Sequence, residues 1–343
     1  MCEQFLNQFD VFANNSDIKQ KPNITNGLLS VPIGSTSESS LFSKYNIRYK
    51  WGALHNMPDN NSLDNTKEMV ELIELIKTKS LTLETKPLII SFISGGGSAL
   101  LSLPKIGITL DQKCCLISEL VKSGATIDQL NTVRKCLSRV KSGKLAKLTI
   151  SPPNSVEMVC FLMSDIIGDP IDLIASGPTV LSTTDSIKAS QKSFEILNKL
   201  NVKISDHIKN VIQSEDNESN ESIPKNLLNN IIIGNNSIAL NVAQNTARHL
   251  GYKVVFLGNA IKGEARLIAK DILEDALKYK PTEEELKTFK GICWVGGGET
   301  TVHMNDSKIG DQFISENHYY IDSLLRTGRS LSRDGSCLLS QYH

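Results

Sequence analysis

The sequence has no excess of charge of either sign. Its 343 residues contain 37 Lys and Arg and 37 Asp and Glu, so the formal net charge at pH 7 is zero. A protein whose main partner is nucleic acid or an anionic membrane needs an excess of positive charge. We therefore expect no nucleic-acid partner and no membrane partner. Composition leaves the oligomeric state open.

The chain also lacks segments that would carry it into or across a membrane. No apolar run reaches the roughly 18 to 20 residues that a membrane-spanning helix needs. The first 25 residues hold three acidic side chains and no apolar core, unlike a signal or transit peptide. The seven cysteines form no C-x-x-C pair and are typical of reduced thiols. These features predict a cytoplasmic protein.

Three common catalytic motifs are missing. The chain has no G-x-x-x-x-G-K-[ST] phosphate loop, no G-x-G-x-x-G after a strand and no G-x-S-x-G. Their absence argues against a Walker-type kinase, a standard dinucleotide enzyme and an α/β-hydrolase.

What the sequence does contain is a repeated unit of strand, small-residue loop and helix. Apolar runs predict strands over 27–32, 88–93, 156–163, 230–233, 252–257 and 292–295. Helical spacing predicts helices over 64–77, 109–121 and 237–250, and a further helix whose apolar stripe runs from 127 to 140. Apolar strands that alternate with helices are typical of parallel sheets covered on both faces. We therefore predict an α/β fold with a mostly parallel sheet.

The first motif with chemical meaning is Ser94-Gly95-Gly96-Gly97-Ser98, which follows a predicted strand. Consecutive glycines let backbone N–H groups converge on one point, and ligands of α/β sheets bind at the carboxyl ends of strands. The motif predicts an anion-binding loop. A tight turn that serves only chain geometry is the alternative.

A second motif lies on the helix after Gly124. Asn131, Arg134, Ser138 and Lys141 recur at intervals of three or four residues, which predicts a polar face. Arg134 on such a face can bind a phosphate or carboxylate through two parallel hydrogen bonds. A solvated face without function is the alternative.

Two carboxylates, Asp165 and Asp169, follow another predicted strand. An Asp at this position is a common Mg²⁺ ligand or a base for a hydroxyl group, although it can also simply cap a loop. A second small-residue loop with Ser176 and Gly177 comes soon after.

A second glycine run, Gly296-Gly297-Gly298-Glu299-Thr300-Thr301, again follows an apolar strand. We expect this loop to face the first one across a cleft, with one loop binding a nucleotide and the other a substrate. Two such loops and an Asp-bearing strand end suggest phosphoryl transfer that uses backbone N–H groups, Mg²⁺ and an Arg.

Taken together, these motifs resemble the glycerate 2-kinases of the MOFRL family. The resemblance rests on an ordered set of stretches: residues 52–59, 94–101, 124–141, 164–179 and 296–302. It implies ATP-dependent phosphorylation of D-glycerate at the 2-hydroxyl group with Mg²⁺. It also implies a Rossmann-like N-terminal domain and a smaller C-terminal α/β domain around a cleft.

The resemblance picks out the candidate residues by position in these stretches, and their individual roles are inferred from residue chemistry. Asp165 and Arg134 are the expected catalytic residues, and Asp165 and Asp169 the expected metal ligands. The expected nucleotide-cleft residues are Gly297, Gly298, Glu299 and Thr300. The expected substrate or phosphate contacts are Ser94, Gly95, Gly96, Gly97, Ser98, Asn131, Lys141, Ser176 and Gly177.

The resemblance divides the chain into four segments. These are a divergent segment over 1–26, an incomplete Rossmann-like domain over 27–228, a partial MOFRL domain over 229–304 and a poorly packed tail over 305–343. The family's G-K-A motif near the start and G-R-N-Q-E motif after the second glycine run do not occur here. We therefore expect a chain truncated or replaced at both ends. The alternative function is a non-catalytic or unstable homologue that at most binds nucleotide or glycerate.

Overall fold

The computed structural model describes residues 2–13, 23–35, 39–54, 57–83, 86–181, 186–214 and 224–301. The tail predicted over 305–343 lies outside these residues. None of the described helices is long and apolar enough to cross a membrane.

The described part of the chain alternates between helices and strands. The strands are β1 Gly27–Pro32, β2 Ile47–Gly52, β3 Leu88–Ile93, β4 Glu157–Met163, β5 Leu228–Gly234, β6 Lys253–Glu264 and β7 Ile292–Thr301. The helices are α1 Cys2–Ala13, α2 Ser40–Lys44, α3 Asn60–Lys79, α4 Gly97–Leu100, α5 Leu110–Lys122, α6 Ile127–Cys136, α7 Lys144–Ile150, α8 Ser186–Lys199, α9 Asp206–Gln213, α10 Asn236–His249, α11 Ala265–Lys278 and α12 Glu283–Thr288.

The strands form parallel pairs, as their apolar runs predicted. β1 pairs with β2, β3 with β4, and β6 with β7, each in parallel register, and β5 adds to the β3–β4 pair. The α/β class with parallel strands is therefore confirmed. The described strands lie in three small sheets rather than in one.

Backbone contacts divide the chain into two compact units. Unit 1 comprises the described residues within Met1–Met163 and Pro170–Ile233, and unit 2 those within Ser164–Asp169 and Gly234–His343. A core of α5, α6, α8 and α9 side chains, with Leu120, Val133 and Ile212 fully buried, holds the helical part of unit 1 together. A smaller core that includes Leu240 and Val295 lies in unit 2. The predicted domain limits at 27, 228 and 304 stay predictions.

Side-chain caps fix where the long helices begin. Thr109 caps α5 and Thr126 caps α6, and in each the glutamine three residues later bonds back to the backbone of the cap. This reciprocal capping box was readable from the sequence, because its two partners are only three residues apart.

The end of α6 was predicted wrongly. The helix stops at Cys136 rather than near residue 140, because the following backbone pairs with an upstream segment. The Lys105 N–H donates to Leu137 O at 3.1 Å, and the Arg139 N–H donates to Leu103 O at 3.0 Å. These bonds to a distant part of the chain replace the next helical turn.

Candidate functional site

The first glycine run forms a tight turn at the end of β3, and its predicted role in anion binding stays a prediction. Gly96 has a φ of +75°, a conformation that only glycine adopts without strain. A methyl group at Gly97 would lie 3.1 Å from the Cβ of Ala175, so this position also needs glycine to pass close to the 174–179 loop. The turn places Ser98 next to that loop. Ser94, at its start, is exposed.

Three predicted site residues of unit 1 meet in one hydrogen-bonded network. The Lys141 ammonium donates to the carbonyl oxygen of Ser98 at 2.7 Å and to its hydroxyl at 2.8 Å. The Ser98 hydroxyl lies 2.9 Å from the hydroxyl of Ser176. The glycine turn, the segment after α6 and the second small-residue loop therefore converge, which none of them shows alone.

The 174–179 loop is held in a rare backbone conformation. Ala175, Ser176 and Gly177 have φ values of +50°, +65° and +61°, and two of the three carry side chains. Their carbonyls are anchored, since Ser142 N–H donates to Ser176 O at 3.0 Å and Gly143 N–H to Gly177 O at 2.7 Å. Consecutive left-handed residues are costly and persist where the surroundings enforce them, often at functional sites.

Ser138 and Lys141 do not continue the polar helix face that their spacing predicted, and that prediction is corrected. Both residues follow the end of α6 and are buried, Lys141 at 2% exposure. Burial lowers the pKa of Lys141 well below its ordinary value, and the positive charges of Lys113, Arg134 and Lys135 act in the same direction. Early termination of α6 turns these side chains inward.

Arg134 and Asn131 remain on α6, one turn apart, and both are partly buried. Burial lowers the pKa of Arg134, although the effect leaves a guanidinium charged. Asp172, 57% exposed, pairs with Lys135 on the same helix at 3.6 Å.

The sequence reading missed Lys113. This lysine is on α5 and is only 5% exposed, and no atom of the described residues accepts a hydrogen bond from its ammonium. The sequence did contain an indication that Lys113 is buried, because its helical spacing places it in line with the apolar residues Leu110, Leu116 and Leu120. We call Lys113, Arg134 and Lys141 the cation cluster. None of the groups that shift their pKa values is a carboxylate.

Asp165 and Asp169 lie in unit 2, on the loop over Ser164–Asp169. The Ser164 N–H donates to Gly234 O at 2.9 Å, so the loop continues from β4 beside the end of β5. Asp165 is exposed, whereas Asp169 accepts a hydrogen bond from the Asn235 side chain at 2.6 Å. Asn235 also caps α10, which ties the loop to the start of that helix.

A cavity of about 160 Å³ lies beside this loop within unit 2. Its lining residues are Ile166, Ile167, Gly168, Asp169, Asn236, Ser237 and Asn259. The Asn236 side chain donates to Asn259 O at 2.8 Å, and the Asn259 side chain donates to Ser237 Oγ at 3.0 Å. Polar side chains therefore line part of the cavity, and one of them, Asp169, is one of the two predicted metal ligands.

The second glycine run is not a loop, and that prediction is corrected. Gly296, Gly297 and Gly298 continue β7 up to Thr301 and pair with an irregular stretch of β6. Methyl groups at Gly297 and Gly298 would overlap the Asn236 side chain and the Ile261 backbone. Glycine is needed at these positions because other parts of the chain pass close to β7, and not because the backbone turns there. Glu299 is exposed and pairs in register with Lys262, and Thr300 with Gly263.

Among the described residues, no group of three or more His, Cys, Asp and Glu side chains is arranged to hold a metal ion. Mg²⁺ in nucleotide-dependent enzymes, however, uses one or two carboxylates together with substrate phosphates. Asp165 and Asp169 on one short loop fit that requirement.

Comparison with known proteins agrees with the family resemblance. A family model described as a domain of unknown function (DUF4147) matches residues 9–213. Glycerate kinase of Rattus norvegicus is 32% identical over 331 residues, which cover 84% of this chain and 60% of the rat protein. Glycerate kinase of Macaca fascicularis is 32% identical over 76% of this chain and 71% of its own length.

A solved structure is similar as well. The crystal structure of glycerate kinase from Thermotoga maritima has a TM-score of 0.65 and 28% sequence identity, over 84% of this chain and 63% of that chain. The present chain spans about 60% of the length of the rat relative. On the family match and these relatives, the chain belongs to the glycerate kinase family that carries the DUF4147 domain.

Proposed function

We propose that the protein phosphorylates D-glycerate at its 2-hydroxyl group with ATP, which gives 2-phosphoglycerate and ADP. The observation that carries this proposal is the buried Lys141, which donates to Ser98 inside the cation cluster and whose pKa no carboxylate of the described residues influences. The names of the relatives support the same reaction. The balanced charge of the sequence favours a small-molecule substrate over nucleic acid and agrees with a cytoplasmic location.

The substrates of this reaction are anions, and the cation cluster suits anions. Glycerate carries a carboxylate, and ATP carries phosphates whose charge shifts toward the leaving group during transfer. Donors fixed in a site of low dielectric stabilise such charge more than water does. Arg134 can hold two oxygens of one group at once. We assign Arg134, Asn131 and Lys141 to oxyanion binding.

The remaining roles fall to the carboxylates. Asp165 takes the proton of the glycerate 2-hydroxyl group while the oxygen of that hydroxyl bonds to the γ-phosphorus of ATP. The bond between the γ-phosphorus and the β–γ bridging oxygen breaks, and ADP is released. Asp169, with Asp165 on the same loop, would hold Mg²⁺, which neutralises phosphate charge when bound. Gly297, Gly298, Glu299 and Thr300 stay predicted nucleotide contacts.

The test is ADP release from the purified chain. Protein shown to be folded by circular dichroism is incubated with ATP, Mg²⁺ and D-glycerate, and ADP is measured with a coupled assay. We expect release that depends on D-glycerate and falls at least tenfold with L-glycerate. Phosphorus NMR of the product should show 2-phosphoglycerate rather than the 3-isomer.

A matched pair of variants strengthens the assay. Arg134→Met should lower kcat/KM by about 100-fold, as removal of one transition-state donor does, whereas Arg139→Met, an exposed residue nearby, should not. Folded protein that releases no ADP would reject the proposal for this chain. Binding of ATP or glycerate without turnover would then identify the chain as the non-catalytic homologue.

A further inference from the structure

Lys113 is placed where a charged side chain is normally excluded. It lies one turn from Leu110 and from Leu116 on the buried face of α5, and that face packs into the helical core of unit 1. Only 5% of the residue is exposed. A lysine in an apolar stripe that made no interaction would be better replaced by leucine or methionine.

The ammonium group of Lys113 has three donors and, within the described residues, no acceptor. Buried donors in proteins are almost always hydrogen-bonded, so an exception needs a reason. The nearby Cys114 thiol is a weak acceptor, and its own pKa is raised by burial. The described part of the chain therefore does not satisfy this group.

The surroundings of Lys113 are positive. Burial lowers its pKa to about 8; the Cys114 thiol acts in the opposite direction, and Arg134 and Lys144 add to the lowering. Arg134 is the half-buried member of the cation cluster. A bound oxyanion would supply the missing acceptor and relieve the repulsion between the cations.

We propose that Lys113 is an oxyanion-binding residue, which together with Arg134 and Lys141 holds the carboxylate or phosphoryl group of an acidic ligand. The inference deepens the proposed function, because it rests on that function for the identity of the ligand. The binding of an oxyanion does not depend on turnover and can be measured separately.

The experiment compares the wild-type chain with Lys113→Met, which keeps the length of the side chain and removes its charge. Isothermal titration uses four probes without metal: inorganic phosphate, D-glycerate, 2-phosphoglycerate and ATP. We expect at least tenfold weaker binding of one or more of them by the variant. The probe that is affected identifies the source of the oxyanion.

Two further measurements distinguish oxyanion binding by Lys113 from a purely structural role of this residue. The thermal midpoint of the free variant should equal or exceed that of wild type, because an unsatisfied buried charge has been removed. Binding of the affected probe by wild type at pH 8 should take up protons, seen as a dependence of the heat on buffer ionisation, and this uptake should shrink in the variant. Lys122→Met, on the exposed end of the same helix, is the control and should change neither property.

Each result decides between the two proposals. If folded Lys113→Met protein binds all four probes as tightly as wild type does, the proposed role of Lys113 is wrong, even if the wild-type protein turns over D-glycerate. If the variant loses phosphate binding while wild type shows no turnover, the kinase proposal fails and the oxyanion site stands. Should Lys113→Met fail to fold, Lys113→Gln provides the same comparison.

Discussion

The ammonium of Lys141 contacts both the carbonyl oxygen and the hydroxyl of Ser98, at 2.7 and 2.8 Å, across 43 residues of sequence. This pair joins the turn after β3 to the segment after α6. Since Lys141 is buried, Ser98 supplies acceptors that the ammonium cannot obtain from water.

We expect Ser98→Ala to be destabilising. The substitution removes the hydroxyl acceptor of Lys141 and the partner of Ser176 but leaves the carbonyl contact in place. The free energy of unfolding should fall by about 1–3 kcal/mol, the usual cost of a buried donor left without a partner. Urea denaturation measures the change. Ser94→Ala, at the exposed start of the same turn, should shift it by less than about 0.5 kcal/mol.

The stability of the protein should depend on pH through Lys113. Its pKa in the folded chain is about 8, below the ordinary 10.5, so the folded state holds this proton less tightly than the unfolded state. The penalty is complete below pH 8 and is relieved as pH rises toward 10.5, and its full size is about 3 kcal/mol. The stability gained by Lys113→Met should therefore shrink over this interval.

Chemical denaturation at pH 7 and pH 9.5 measures that difference. Arg134 on α6 and Lys144 on α7 are the same in wild type and variant, so the difference between the two proteins isolates Lys113. If Lys113→Met is more stable than wild type by the same free energy of unfolding at both pH values, the lowered pKa of Lys113 is contradicted.

Gly298→Ala should disrupt the pairing of β7 with β6. A methyl group there overlaps backbone atoms of Ile261, which cannot rotate away. We expect a loss of about 2–4 kcal/mol, in the range of severe overpacking. Gly27→Ala in β1 is the matched control, because the nearest atoms to its methyl group belong to the Ile47 side chain, at 3.0 Å or more, and not to backbone, so it should cost less. Hydrogen exchange of β7 amides locates the effect.

Asp59→Ala should weaken the start of α3. The carboxylate accepts backbone N–H bonds from Ser62 at 2.8 Å and from Ala53 at 3.0 Å. Burial raises the pKa of Asp59, but these bonds and one from Leu54 outweigh it, so the pKa lies below its ordinary value. The substitution should cost about 0.5–2 kcal/mol at pH 7.

The cost should vanish in acid. A lowered folded-state pKa means that the stabilisation is present above the unfolded pKa and is lost as pH falls through the folded one. The gap between wild type and Asp59→Ala should therefore close as the pH falls below the ordinary Asp value of 3.8 and through the lower pKa of the folded state. Asp64→Ala, which removes an exposed ion pair with Lys67, should change stability little at any pH.

The parts of the fold that depend on neighbours in sequence were predictable. The apolar run 88–93 became β3 with the same bounds, and Thr126 caps α6 through Gln129. The end of α6 was not predictable, because it depends on pairing between Leu137 and Lys105, more than 30 residues apart.

The candidate site shows the same division. Ser98 and Lys141 were recognised by residue type, but their direct contact depends on tertiary folding. Lys113 was missed because a lysine among leucines is usually assigned to the surface. Gly296, Gly297 and Gly298 were read as a turn, since glycine permits turns. The structure uses them for close approach to β6, whose irregular register cannot be read from β7 alone.

The six residues Ser164–Asp169 belong to unit 2, although the chain on either side of them belongs to unit 1. A fragment cut out at Gly234 would leave Asn235 without the Asp169 carboxylate and Gly234 without the Ser164 N–H. Unit 2 is therefore not encoded by one continuous stretch of sequence, so a single cut cannot move it intact into another protein. During synthesis, residues 164–169 are made well before the remainder of unit 2, which begins at Gly234.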